Sequence, residues 1–229
     1  MLQICFYILT AIAVLMLLFI FRYAENSKKA MIRYGAIIIC WMLYVIAVER
    51  SGLLENFSLP PRVVLLIVLP AIACIIFTIT NRRFQPLIQS VPVQLPIFLQ
   101  SFRIAVELLI YYSFRNGIFP QRATFEGLNF DITVGLSAPI IALLFYKKKL
   151  GPQWLLTWNI LSLLVLSVTV YSFISTYYFT DYIITNGSKE FIHFPYLLLA
   201  AVLLPAAIFL HVFSIRQLLF RKKQVAAAV

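Results

Sequence analysis

The sequence predicts an all-α, polytopic membrane bundle of seven transmembrane helices with the N-terminus outside and the C-terminus cytoplasmic. Three observations predict it. Of the 229 residues, 62% are hydrophobic and only 12% charged, against roughly 45–50% and 25% in soluble domains. Mean hydropathy is +0.95, and the apolar residues fall into about seven runs near the 20 residues that a bilayer crossing needs. The basic residues gather between those runs. Together these exclude an ordinary soluble domain, a disordered chain and a disulfide scaffold. They also leave little of the chain for a separate soluble catalytic domain.

The first span, 2–21, has no Lys or Arg before it, whereas Arg22, Lys28, Lys29 and Arg33 follow it. A secretory signal has a basic start, a shorter apolar core and a small-residue cleavage site. The segment therefore reads as a retained, N-outside span. The second, 34–48, reaches only about 22 Å at 1.5 Å per residue, and snorkelling of Arg33 and Arg50 makes up the rest. The third (63–80), fifth (130–146) and seventh (196–216) carry Pro70, Pro139 and Pro205. Each removes a backbone donor and kinks its helix or is absorbed by packing. The fourth is 96–114. The sixth, 154–178, is long enough to tilt or project. No linker separates domains, so one domain spans 1–229.

Between the third and fourth spans, Pro86, Pro92 and Pro96 crowd eleven residues with Gln85, Gln89 and Gln94. That spacing predicts an extended cytoplasmic loop, with a re-entrant stretch as the alternative. Two stretches look alike: Leu69-Pro70-Ala71 followed by Phe77 and Ile79, and Leu204-Pro205-Ala206 followed by Phe213 and Ile215. A true repeat would hint at transporter construction.

Orientation follows from charge. The net charge is +11, from 19 Lys+Arg and 8 Asp+Glu. With seven spans, thirteen basic residues fall on the side of 22–33, 81–95, 147–153 and the tail from Arg216, and five on the other. The positive-inside rule makes the richer side cytoplasmic. Basic residues flanking spans point to anionic lipid at that face, not to nucleic acid. Trp154 and Trp158 at one end of the sixth span, and Tyr177, Tyr178, Phe179 and Tyr182 at the other, fit headgroup belts. Cys5, Cys40 and Cys74 lie inside apolar runs without a CxxC pair, so they read as inert buried thiols and not as disulfides or metal ligands.

The candidate site starts from Arg103 and Glu107, two charges inside the fourth span. Insertion of each costs about 2.5–3.5 kcal/mol, so intramembrane charges are functional candidates. Four residues apart, they share a helix face and are expected to pair. Gln100 extends the same face one turn below. In the outer loop, Glu126, Asn129 and Asp131 supply oxygen ligands or helix caps. Convergence of Glu107, Glu126 and Asp131 would attract a cation or share a proton; Arg115 and Arg122 are the alternative partners of the loop acids. His211 reads as a cross-helix hydrogen bonder or a proton relay. Asn159 heads a row of hydroxyls on the sixth helix suited to packing or to a polar path. There is no HExxH, GxSxG, Walker loop or dinucleotide fingerprint. No catalytic set, metal site or cofactor is therefore predicted.

Glu107, Phe125-Glu126-Gly127, Asn129-Phe130-Asp131 and Gly135-Leu136-Ser137-Ala138-Pro139, with Leu210-His211 and Ser214-Ile215-Arg216-Gln217-Leu218, resemble a group of bacterial multi-pass membrane proteins that has no assigned activity. The resemblance covers roughly 103–139 and 195–220. It implies a bacterial cytoplasmic membrane protein and transfers no functional residue. Three functions remain open from the residues: binding or transport of a small solute or ion through the outer-half polar site, a structural or assembly subunit of a membrane complex, and, last, an intramembrane enzyme.

Overall fold

The computed structural model describes residues 1–186 and 188–227, with side chains to Arg221 apart from Asn186. It is all-helical, with no strand among the described residues. Among the described residues, five helical stretches are long and apolar enough to cross a membrane: Leu2–Tyr23, Ser27–Arg50, Gln94–Arg115, Pro152–Phe179 and Leu199–Arg221. A sixth, Val64–Thr80, continues into Arg82–Ser90 through a 70° bend. The predicted fifth span is the helix Asp131–Tyr146, whose 16 residues reach only about 24 Å, short of a ~30 Å hydrocarbon core. The structure therefore supplies five or six full-length spans where the sequence suggests seven.

The named helices are α1 (Leu2–Ile20), α2 (Ser27–Arg50), α3 (Leu69–Thr80), α4 (Gln85–Ser90), α5 (Gln94–Leu99), α6 (Phe102–Arg115), α7 (Asp131–Tyr146), α8 (Pro152–Phe179), α9 (Tyr182–Asn186) and α10 (Leu204–Ala227). Three expectations need correction. The second helix is not short: α2 has 24 residues and starts at Ser27, because Lys28, Lys29, Ala30, Met31 and Arg33 are good helix formers. Residues 85–96 are not an extended loop but the short helices α4 and α5. Pro86 and Pro96 sit in their first turns, where a missing N–H costs nothing. Buried Gln217 of α10 then pins this connection, its Nε2 donating to the Ile88 carbonyl at 2.8 Å and to that of Val91. The cysteines are not buried: all three are exposed, Cys40 and Cys74 along a groove between α2 and α3.

Two of the span prolines have the same local consequence. Proline cannot donate to the carbonyl four residues back, and its ring crowds that turn. A π-turn, which opens the helix by one residue, precedes each: Val64–Val68 before Pro70, and Leu199–Leu203 before Pro205. The two π-turns pack on each other, and α3 packs on α10. Start meets start, so α3 and α10 run in the same direction.

The site is framed by α6, α7, α8 and α10, which pack as neighbours. Gly135 sets the α6–α7 distance: a Cβ there would lie 2.9 Å from the backbone nitrogen of Ile104, so no larger residue fits that close approach. Trp158 of α8 reaches α7 through an indole N–H donated to Ser137 Oγ at 3.1 Å.

Candidate functional site

Arg103 points from α6 into the centre of the bundle and is 1% exposed. Its Nε donates to Asp131 Oδ2 at 2.6 Å, its Nη2 pairs with Asp131 Oδ1, and its Nη1 lies 2.9 Å from His211 Nε2. The expected pairing with Glu107 one turn away does not form. Asp131, at the first turn of α7, offers both carboxylate oxygens to the guanidinium, the stronger, bidentate arrangement. Its place at a helix N-terminus also suits its charge.

The histidine tautomer follows from its partners. Guanidinium groups only donate, so His211 Nε2 accepts and the ring proton sits on Nδ1. That N–H donates to Asn159 Oδ1 at 2.9 Å. Asn159 in turn donates from Nδ2 to the Leu155 carbonyl at 2.8 Å and to Ser214 Oγ at 3.0 Å. One polar chain thus runs Asp131, Arg103, His211, Asn159, Ser214, across α7, α6, α10 and α8. His211 is its neutral link.

Asn129 is the second hub. Its Nδ2 donates to Glu107 Oε2 at 2.7 Å and to the Ala123 carbonyl at 3.0 Å. Its Oδ1 accepts the Asp131 backbone N–H at 3.0 Å and the Thr169 hydroxyl at 2.6 Å. All of its hydrogen-bonding capacity is used, and it is fully buried. Gln100 lies below, its Nε2 donating to the Ala207 carbonyl of α10 at 3.0 Å while its Oε1 has no partner.

Of the eight residues singled out in the sequence, Arg103, Glu107, Asn129 and Asp131 meet directly, Asn159 and His211 join through Arg103, and Gln100 bonds to α10 beneath them. Glu126 does not join. It is exposed, and its side chain lies on the loop surface on the side of Arg115, so three carboxylates do not converge. The loop turns sharply at Gly127, where a Cβ would lie 2.6 Å from the Arg122 backbone. Most α8 hydroxyls bond their own helix: Ser167 to Leu163, Ser172 to Thr169, and Thr176 to Ser172. Among that row, Asn159 and Thr169 reach other elements.

A cavity of about 80 Å³ lies against this network, between α6, α8 and the two π-turns. Its walls are mostly apolar, from residues such as Val64, Val106, Phe173 and Leu203, with Arg103, Glu107, Asp131 and Thr169 along one side. That volume holds a few waters or a small solute. The acids differ in what offsets them. Asp131 has Arg103, whereas Glu107 has only the neutral Asn129 amide on one oxygen, and the described residues place no hydrogen-bond donor on the other. Among the described residues no group of three or more His, Cys, Asp or Glu is arranged to hold a metal ion.

Sequence reasoning overlooked Gln217, Trp41 and Tyr44 as structural donors. A buried glutamine in the final helix was a readable signal; the two aromatics gave none, because Pro70 and Pro205 mark which carbonyls lose a donor but not that the second helix faces them. Comparison of the chain with family models, curated proteins and solved structures finds no match.

Proposed function

We propose that the protein crosses the membrane seven times, N-terminus outside, and binds and moves a small cation, a small protonated amine or a proton through the cavity beside Glu107. The observation that carries this is the unequal treatment of the buried acids. Arg103 spends three of its five N–H donors on Asp131 and His211, and its charge is already offset by the Asp131 carboxylate. Glu107 is a buried carboxylate on a cavity wall that makes no ion pair among the described residues, Arg103 acting on it only at longer range. A carboxylate in that state takes up a proton or a cationic group, because incompletely offset charge in a low-dielectric site is costly.

The seven-span count draws support from the parallel run of α3 and α10, since a third and a seventh span cross in the same sense; the orientation rests on charge. It puts the side with thirteen basic residues in the cytoplasm, against anionic lipid, and the resemblance implies a bacterial cytoplasmic membrane. Reporter fusions after Lys149 and at Val229 are expected to read cytoplasmic. An external signal at either would overturn the seven-span topology.

Thermal unfolding in nanodiscs tests the binding reading, across pH 5–8 and a panel of alkali cations and small amines. A ligand at a hundredfold excess over Kd stabilises by about 2.7 kcal/mol. A saturable shift is expected with one class and should vanish in Glu107→Gln. That variant should stay folded, since its amide oxygen still accepts from Asn129. No shift with any probe in the wild type would defeat the proposal. It would favour the second reading, a structural subunit, which the closed Asp131–Arg103–His211–Asn159–Ser214 chain supports.

A further inference from the structure

The two π-turns lie at one constant interval in the chain. Pro60 and Pro195, Val64 and Leu199, and Pro70 and Pro205 are all separated by the same number of residues. The similarity of Leu69-Pro70-Ala71 to Leu204-Pro205-Ala206 is therefore matched by the same local backbone, and the two copies pack together, start to start. Both have one face on the cavity, through Val64 and Val68 in the first and Leu199, Ala200 and Leu203 in the second.

The backs of both turns are served by α2. Pro70 leaves the Leu66 carbonyl without its usual donor, and the Tyr44 hydroxyl donates to it at 2.8 Å. Pro205 does the same to the Ala201 carbonyl, and the Trp41 indole N–H donates to it at 2.8 Å. Leu66 and Ala201 are equivalent positions of the two copies. Trp41 and Tyr44 are one turn apart on α2, with ring centroids separated by 5.4 Å. Elsewhere α2 is held near its ends, by Tyr34 stacked on Phe21 and by Glu49 paired with His193 at 3.1 Å. Along its length Val45 and Val48 are the buried residues, and a groove of about 380 Å³ separates its middle from α1, α3 and α10. A small outward movement of α2 would release both carbonyls together.

We propose that Trp41 and Tyr44 are positioning residues for the cavity. They hold the paired π-turns in the shape that closes its walls, and withdrawal of α2 opens it. This rests on the cavity beside Glu107 being the binding site. Trp41 and Tyr44 touch no ligand in this scheme; they act through the backbone of the turns.

Accessibility of the cavity wall tests it. Cys5, Cys40 and Cys74 are replaced by alanine, Leu203→Cys is added, and its reaction with a small methanethiosulfonate is timed in nanodiscs. Trp41→Phe with Tyr44→Phe should speed labelling at least about fivefold, the low end for losing one hydrogen bond at each of two hinges, with helical circular dichroism unchanged. An unchanged rate in the folded double variant overturns the proposal. Pro70→Ala returns a backbone donor to the Leu66 carbonyl, so Tyr44→Phe should lose its effect in that background. An equal effect in both backgrounds means the carbonyl is not what Tyr44 acts on, and also overturns it. This second comparison removes a single oxygen and decides the matter if the double variant fails to fold. No ligand is used, so the hinge assignment can fail while the Glu107 reading stands, and the reverse.

Discussion

Asp131→Asn is expected to destabilise the bundle by about 3–5 kcal/mol, the cost of breaking a buried ion pair by removing one partner. Asp131 is 3% exposed and Arg103 1% exposed, so neither side chain finds water once the other is lost. An asparagine keeps the shape but offers one acceptor oxygen where the carboxylate offers two, and its amide N–H groups would face the guanidinium. His211 cannot make up the difference, because it is neutral and already accepts from Nη1. Replacing both partners, with Arg103→Met and Asp131→Leu, should cost far less than the single change, since no charge is then left unpaired. Unfolding in mixed micelles would measure both. A loss under about 1 kcal/mol in Asp131→Asn, the scale of an exposed pair, would mean that water reaches Arg103. Glu107→Gln, by contrast, leaves Arg103 fully paired and should be the milder change. Helix spacing alone implies the opposite ranking, because it pairs Arg103 with Glu107.

That reversal shows how far the residues alone could go. Intramembrane charge singled out Arg103 and Glu107 without any structure, because such groups are expensive wherever they point, and Asp131 stood out beside them as a loop-end oxygen ligand or helix cap. Which acid meets which base was not legible, because it depends on how closely α7 lies on α6, and a glycine at 135 sets that distance. Glu126 illustrates the same limit: a loop acid three residues from a buried asparagine faces solvent because the chain turns at Gly127. The membrane class was legible from composition, since it depends on a sum over the chain. The number of full-length spans was not, since it depends on where helices end. The prolines misled for a local reason. Counted as helix breakers they predict a loop at 85–96, but at first-turn positions they start helices, and at Pro70 and Pro205 they open a π-turn and leave the helix running.

Asn129→Ala should be the next most damaging change, at about 3 kcal/mol, and the reason differs from that at Asp131. No charge pair is broken. Four groups on different elements lose a partner together: the Glu107 carboxylate on α6, the Thr169 hydroxyl on α8, the Asp131 backbone N–H on α7 and the Ala123 carbonyl in the loop. Each buried group left unsatisfied costs roughly 1–3 kcal/mol, and partial relaxation keeps the sum below the simple total. Thr169→Val, which strands only one lone pair of Asn129, should cost about 1 kcal/mol. The two changes should also be non-additive, because residues in one hydrogen-bond network couple. Once Asn129 is alanine, Thr169→Val breaks only the longer bond to the Val165 carbonyl of its own helix, 3.3 Å, and should cost less than in the wild type. A double-mutant cycle measured by unfolding checks this directly. Strict additivity would mean that Asn129 and Thr169 act separately, and that α8 is held to the Glu107 wall by apolar packing instead of by this amide.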